Sequence, residues 1–113
     1  MSIKSEFIEP IRELVEILIK KKFDLLEKDG RIGRLSPAEL ETAINDYGRT
    51  LISLPDAAFE LAEEYKVESQ ENMWDVDIPL WTREEGRSDL TLSVTINFQN
   101  DVLSIYIDDL HVL

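Results

Sequence analysis

No cysteine occurs among the 113 residues, which excludes a disulfide framework, a thiolate metal site and a cysteine nucleophile. Histidine appears once, as His111, with no His-x-x-x-His spacing around it. That leaves metal binding through imidazole without support, and an all-carboxylate site would be weak. Glycine and proline number four each, too few for a disordered tail, a collagen-like repeat or a low-complexity linker. Long apolar runs are missing as well. The longest apolar-rich stretch, Ile11 to Ile19, is interrupted by Arg12, Glu13 and Glu16, and spanning a bilayer takes about 18–20 apolar residues. The opening MSIKSEFIEPIREL is charged throughout and has none of the uninterrupted apolar character of a secretory signal. A soluble, cytoplasmic protein is expected.

Positive charge is the scarcest commodity. Twelve Lys and Arg face 24 Asp and Glu, for a net charge of −12. A phosphate backbone needs a basic footprint and anionic lipid needs a polybasic patch, so nucleic acid and membrane are set aside as partners. The acidity is uneven. Residues 1–34 hold eight Lys+Arg and seven Asp+Glu, whereas residues 35–113 hold four and seventeen.

What is present is one domain's worth of patterned sequence, residues 1–113. Residues 1–64 read mainly as a helical layer and 65–113 as an antiparallel sheet. Ile8, Ile11, Leu14, Val15, Leu18, Ile19, Phe23 and Leu26 recur at three- and four-residue steps, predicting one helix over 6–28 with Ser5 as its N-cap and Lys20–Lys22 near its C-terminal end. Asp29 to Gly33 then turns the chain. Ser36-Pro37-Ala38-Glu39 has the pattern of a capping box with proline at the first helical position. It predicts a helix from Pro37 to about Tyr47, closed by Gly48. Arg49 to Leu54 reads as extended, and Pro55-Asp56 opens a short third helix through about Glu64.

From Met73 the apolar period changes to two, predicting strands through Trp74–Trp81, Leu90–Phe98 and Leu103–Val112. Tyr65–Glu68 is a candidate fourth strand. Asn100-Asp101 makes a natural two-residue turn, pairing Phe98 with Leu103, Ile96 with Ile105 and Val94 with Ile107. Continued strictly, that register buries Asp109 against Leu92. One extra residue at Asp108-Asp109 restores the match, so a β-bulge is expected there. Pairing Leu80 with Leu90 leaves Thr82–Ser88 as a loop. Pro79 cannot donate to a ladder and implies an open edge beside its strand. The architecture is α+β: two or three N-terminal helices on one face of a three- or four-stranded antiparallel meander.

Candidate functional residues lie on the polar face of this sheet. Asp75, Asp77 and Trp81 come from one strand, with Thr91, Ser93, Thr95 and Asn97 beside them; Tyr106, Asp108, Asp109 and His111 come from the last. Carboxylates two strands apart lie roughly 9–10 Å from one another, a separation used by inverting glycosidases, but Thr, Ser and Asp equally make an ordinary solvated face. The Trp81–Asp89 stretch offers Trp81, Arg83, Arg87 and Asp89 as a recognition loop, and reads equally as a self-neutralising hairpin in which Arg87 clamps Glu85 or Asp89. No catalytic residue and no cofactor is assigned. Ser36 and Ser93 lack a spaced His partner, and the glycine-bearing segments match no nucleotide fingerprint.

Leu35–Glu39 leading to Tyr47–Leu51, the stretch PLWTREEGRSDLTL (Pro79–Leu92) and the ending IDDLHVL (Ile107–Leu113) together resemble an uncharacterised bacterial domain family of unknown function. That resemblance implies that the whole chain is the family domain and attaches no activity to it. Helices followed by an antiparallel meander also look like the cystatin-like and nuclear-transport-factor-like α+β folds, a likeness of topology only. Three roles compete. The first is a non-catalytic, immunity- or adaptor-like module whose acidic sheet face meets a basic protein. The second is a small-molecule binder or enzyme of the cone-shaped α+β kind, with a pocket between helices and sheet. The third is a homodimer through the outer face or an edge. The charge favours the first.

Overall fold

The amphipathic stripe at the N-terminus folds as two helices, not one. In the computed structural model, which describes residues 3–113, α1 spans Ser5–Ile19 and α2 spans Phe23–Lys28. The break falls on the lysine run. Lys22 N–H donates to Ile17 O and Lys21 N–H to Leu18 O, the paired bonds of a Schellman closure, and they require Lys21 in the left-handed region at φ 58°. The apolar stripe nevertheless stays in register across the break. Phe7, Ile11, Leu14, Val15 and Leu18 of α1 and Phe23 and Leu26 of α2 all enter the core. Periodicity alone therefore hid the turn. The cap also differs from expectation: Lys4 holds the N-cap position, and the Ser5 hydroxyl donates to the Glu6 carboxylate instead.

Helix α3, Pro37–Tyr47, forms as its sequence dictates. The Ser36 hydroxyl accepts from Glu39 N–H at 3.1 Å, and the Glu39 carboxylate accepts from Ser36 N–H at 3.0 Å. Such a box is worth about 1 kcal/mol. Gly48, left-handed at φ 73°, ends the helix. A fourth helix, α4 (Asp56–Leu61), is shorter than the 56–64 expected.

Among the described residues the sheet has five strands, where the sequence suggested three or four. They are β1 (Leu51–Ile52), β2 (Glu63–Lys66), β3 (Met73–Thr82), β4 (Gly86–Gln99) and β5 (Val102–Val112), all antiparallel in the order β1-β3-β4-β5, with β2 also on β3. Strand β1 falls in the Arg49–Leu54 stretch that reads as extended, and β2 straddles the expected boundary, starting two residues before Tyr65. They pair with opposite ends of β3: Leu51–Ile52 with Trp81–Thr82, and Glu63–Lys66 with Trp74–Asp77. Between them Pro79 meets no partner on that flank, which is the open edge its missing N–H demands. Both β3 and β4 are interior strands.

The β4–β5 hairpin turns at Asn100 and Asp101, both with positive φ, as a two-residue connection matched to strand twist requires. Phe98, Ile96 and Val94 face Leu103, Ile105 and Ile107; beyond Ser93 the register shifts by one, so Leu92 faces Leu110 and Leu90 faces Val112. Asp108 is the additional residue, as parity predicted. A second irregularity lies between β3 and β4. Pairs Pro79–Thr91 and Trp81–Arg87 bracket Leu80 on one strand against Ser88, Asp89 and Leu90 on the other. The expected seven-residue loop is thus a tight turn at Arg83–Glu85 followed by a bulged strand. Ser88 is buried there, and its hydroxyl donates to Leu80 O at 2.8 Å and accepts from Leu90 N–H at 3.2 Å.

Val76, Ile78, Leu80, Leu90, Leu92, Val94, Ile96 and Ile107 are 1% exposed or less and share one cluster with the helices. Each such side chain contributes roughly 1.5–3 kcal/mol relative to exposure. Trp74 closes one end of the core, edge-on to Phe7 at 5.5 Å, with Lys4 and Lys66 over its ring.

Candidate functional site

The opposite face of β3, β4 and β5 carries the polar residues in rows set by register. Asp75, Thr95 and Tyr106 form one row; Asp77, Ser93 and Asp109 the next; Pro79, Thr91 and His111 the third. Strand alternation puts these side chains on one face because the partner face is apolar at every second position. The rows are knitted by hydroxyls. Ser93 donates to Asp77 Oδ1 at 2.6 Å, and Thr95 lies 2.8 Å from Asp75 Oδ1. Because Asp108 is bulged out of the ladder, its carboxylate reaches Thr95 as well. A hydroxyl has one proton. Thr95 therefore satisfies both carboxylates as hydrogen-bond partners only when one of them is protonated. Burial pushes the Asp108 carboxyl up from 3.8; the Thr95 hydrogen bond opposes this, while the charges of Asp75 and Asp109 reinforce it and Arg34 counters them.

Arg34 was not singled out from sequence, and the backbone explains its place. Segment 31–33 lies along β5 as a short parallel bridge, with Ile107 N–H donating to Arg31 O at 2.8 Å and Gly33 N–H to Ile107 O at 2.7 Å. A Cβ at residue 33 would stand 3.0 Å from Ile107 O and 3.1 Å from the Tyr106 ring, so the close approach needs glycine. Arg34 then donates to Asp108 O at 3.2 Å and its guanidinium sits 3.4 Å from Asp109 Oδ2. His111 Nδ1 lies 3.3 Å from the same carboxylate oxygen but without hydrogen-bond geometry, leaving that nitrogen buried and unpartnered.

Of the ten residues singled out, the fold brings together Asp75, Asp77, Tyr106, Asp108, Asp109 and His111. Trp81 and Arg87 pair with each other farther along β3 and β4. The Asp89 carboxylate is on an exposed residue, while its backbone N–H donates to the Tyr47 hydroxyl at 3.1 Å. Arg83 leaves this face altogether: it sits in the β3–β4 turn, and its N–H donates to Thr50 O. The recognition loop envisaged from sequence is pinned to the helical layer. Glu84 accepts from Thr50 N–H and Oγ1, both at 2.8 Å, and Glu85 accepts from Tyr47; these Thr50 bonds hold the Glu84 carboxyl below its usual range. Among the described residues no group of three or more His, Asp or Glu side chains could hold a metal ion.

With geometry in hand, comparison with known proteins settles the family. The model of a domain of unknown function, DUF7668, matches residues 15–113. The chain belongs to that family. No curated protein and no solved structure matches it significantly. The DUF7668 match takes in α2 to α4, all five strands and the later part of α1, so the acidic rows and the segment carrying Arg34 lie within the family domain. No helix among the described residues is long and apolar enough to cross a membrane.

Proposed function

We propose that this DUF7668 domain is a non-catalytic protein-interaction module, working in the cytoplasm, that presents Asp75, Asp77, Asp108 and Asp109 to a basic partner protein. One observation carries the reading: Ser93 holds Asp77, Thr95 holds Asp75 and Asp108, and Leu110 N–H holds Asp109, so ordering these carboxylates on binding costs little. Arg34 is the one Lys or Arg within ion-pair distance of these four carboxylates among the described residues, leaving the row undercompensated. In a chain of net charge −12, such a surface steers a cationic partner and sets its register.

The alternative of a ligand pocket between helices and sheet has less support. The inner face is filled by the side chains of one continuous cluster, and the clefts lie at its margins: about 410 Å³ at the ends of α1 and α3, about 470 Å³ between α1 and the Leu103–Tyr106 stretch of β5, and about 380 Å³ between α3 and Leu110. The test is affinity capture from cell extract by the wild-type chain and by an Asp75→Asn/Asp77→Asn variant. Retention of a basic protein at low salt, with release as salt rises and loss in the variant, is expected. Capture indifferent to both salt and substitution, or dimerisation of the chain through this face, would sink the proposal.

A further inference from the structure

Cations are rare after residue 34, where four Lys and Arg stand against seventeen Asp and Glu. Two of those four, Arg49 and Arg83, line one cleft of about 410 Å³ together with Lys21. No carboxylate lines it, and its walls include Ile19, Ile44 and Leu51. We infer that this cleft is a binding site for a small phosphomonoester, with the phosphate held by Lys21, Arg49 and Arg83 and the organic part resting on the apolar walls.

Three segments distant in sequence supply the cations: the break between α1 and α2, the residue after the Gly48 cap of α3, and the β3–β4 turn. Helix C-termini attract cations, which would account for Lys21 and Arg49. It does not account for Arg83, which belongs to a hairpin turn fastened to Thr50. None of the three takes part in an ion pair among the described residues. Glu84 feels the field of Arg49 and is itself occupied by two bonds from Thr50. Lys21 also borders a neighbouring cleft with Asp24 and Glu41.

Lys21 adds an independent argument. Its φ of 58° places it where a helix closure ordinarily takes glycine, because a Cβ is strained in that region. A lysine that worsens the local backbone and lines a cationic cleft is the expected sign of a residue kept for binding. This site is separate from the acidic sheet face, and either can fail without the other.

The experiment is an amide-shift titration of the intact chain with inorganic phosphate and with phenyl phosphate at constant ionic strength. Saturable shifts at Lys21, Gly48–Leu51 and Arg83 are expected, with phenyl phosphate binding several-fold more tightly. Arg83→Gln should weaken binding roughly fivefold. Lys21→Gly should weaken it similarly while raising Tm, since the strained closure is relieved; a purely structural lysine would give the second effect without the first. Non-saturable shifts, equal affinity for the two phosphates, or affinity unchanged in both variants would overturn the assignment.

Discussion

Strand β4 is flanked by two irregularities, and they are built on opposite principles. Against β3, the bulge around Leu80 is closed inward by Ser88, a neutral hydroxyl that is 4% exposed and hydrogen-bonded to the backbone on both strands. Against β5, the bulge at Asp108 opens outward and delivers a carboxylate between the row holding Asp75 and the row holding Asp109, within the field of both. The first stabilises the sheet with a satisfied polar group. The second concentrates like charge at the cost of desolvation. A bulge can thus serve the fold or the surface, and the chemistry of its extra residues tells which.

Substitutions at the two bulges should separate these roles. Ser88→Ala strands the Leu80 carbonyl and removes the acceptor for Leu90 N–H in a buried setting, and should cost about 2 kcal/mol in denaturant unfolding. Thr95→Val keeps the shape but takes the donor from Asp75 and Asp108, and should cost about 1 kcal/mol at pH 7. Asp108→Asn should act the other way. The folded-state carboxyl titrates above its ordinary 3.8, so the folded chain holds this proton more tightly than the unfolded one, and stability falls as pH rises through the interval between the two values. Removing the charge should raise stability at pH 7 by roughly 0.5 kcal/mol and flatten that decline, read from melting at a series of pH values. Deleting Asp108 outright should change stability least, within about 0.5 kcal/mol, because Ile107 and Asp109 can then follow one another in an unbroken ladder with Leu110 still inward. Loss of the native amide pattern in that deletion would mean the bulge is needed for folding as well as for display.

The same contrast explains what could be read from the chain in advance. One added residue reverses which face every later side chain takes, so the Asp108 bulge left a visible mark: Asp109 would otherwise oppose Leu92. Two added residues restore the alternation. The β3–β4 bulge therefore left no trace in the apolar pattern, and Leu80 and Leu90 looked like direct partners across a longer loop. The α1–α2 break was silent for a related reason, since Phe23 and Leu26 resume the stripe after the turn and a lysine holds the position where glycine would have announced it. At the candidate surface, the acidic rows followed from alternation. Arg34 did not, because the crossing of segment 31–33 over β5 is a long-range contact whose only local signal is Gly33.

Pro79 divides one flank of the sheet. Because β1 and β2 stop on either side of it, the edge strands there are two and four residues long, below the six or seven residues that stack into fibrils. On the far flank the bridge from Ile32 to Ile107 interrupts β5 near its middle. Concentrated solutions of this protein should accordingly stay dispersed, with any residual tendency to associate strand on strand confined to the Val102–Tyr106 end of β5.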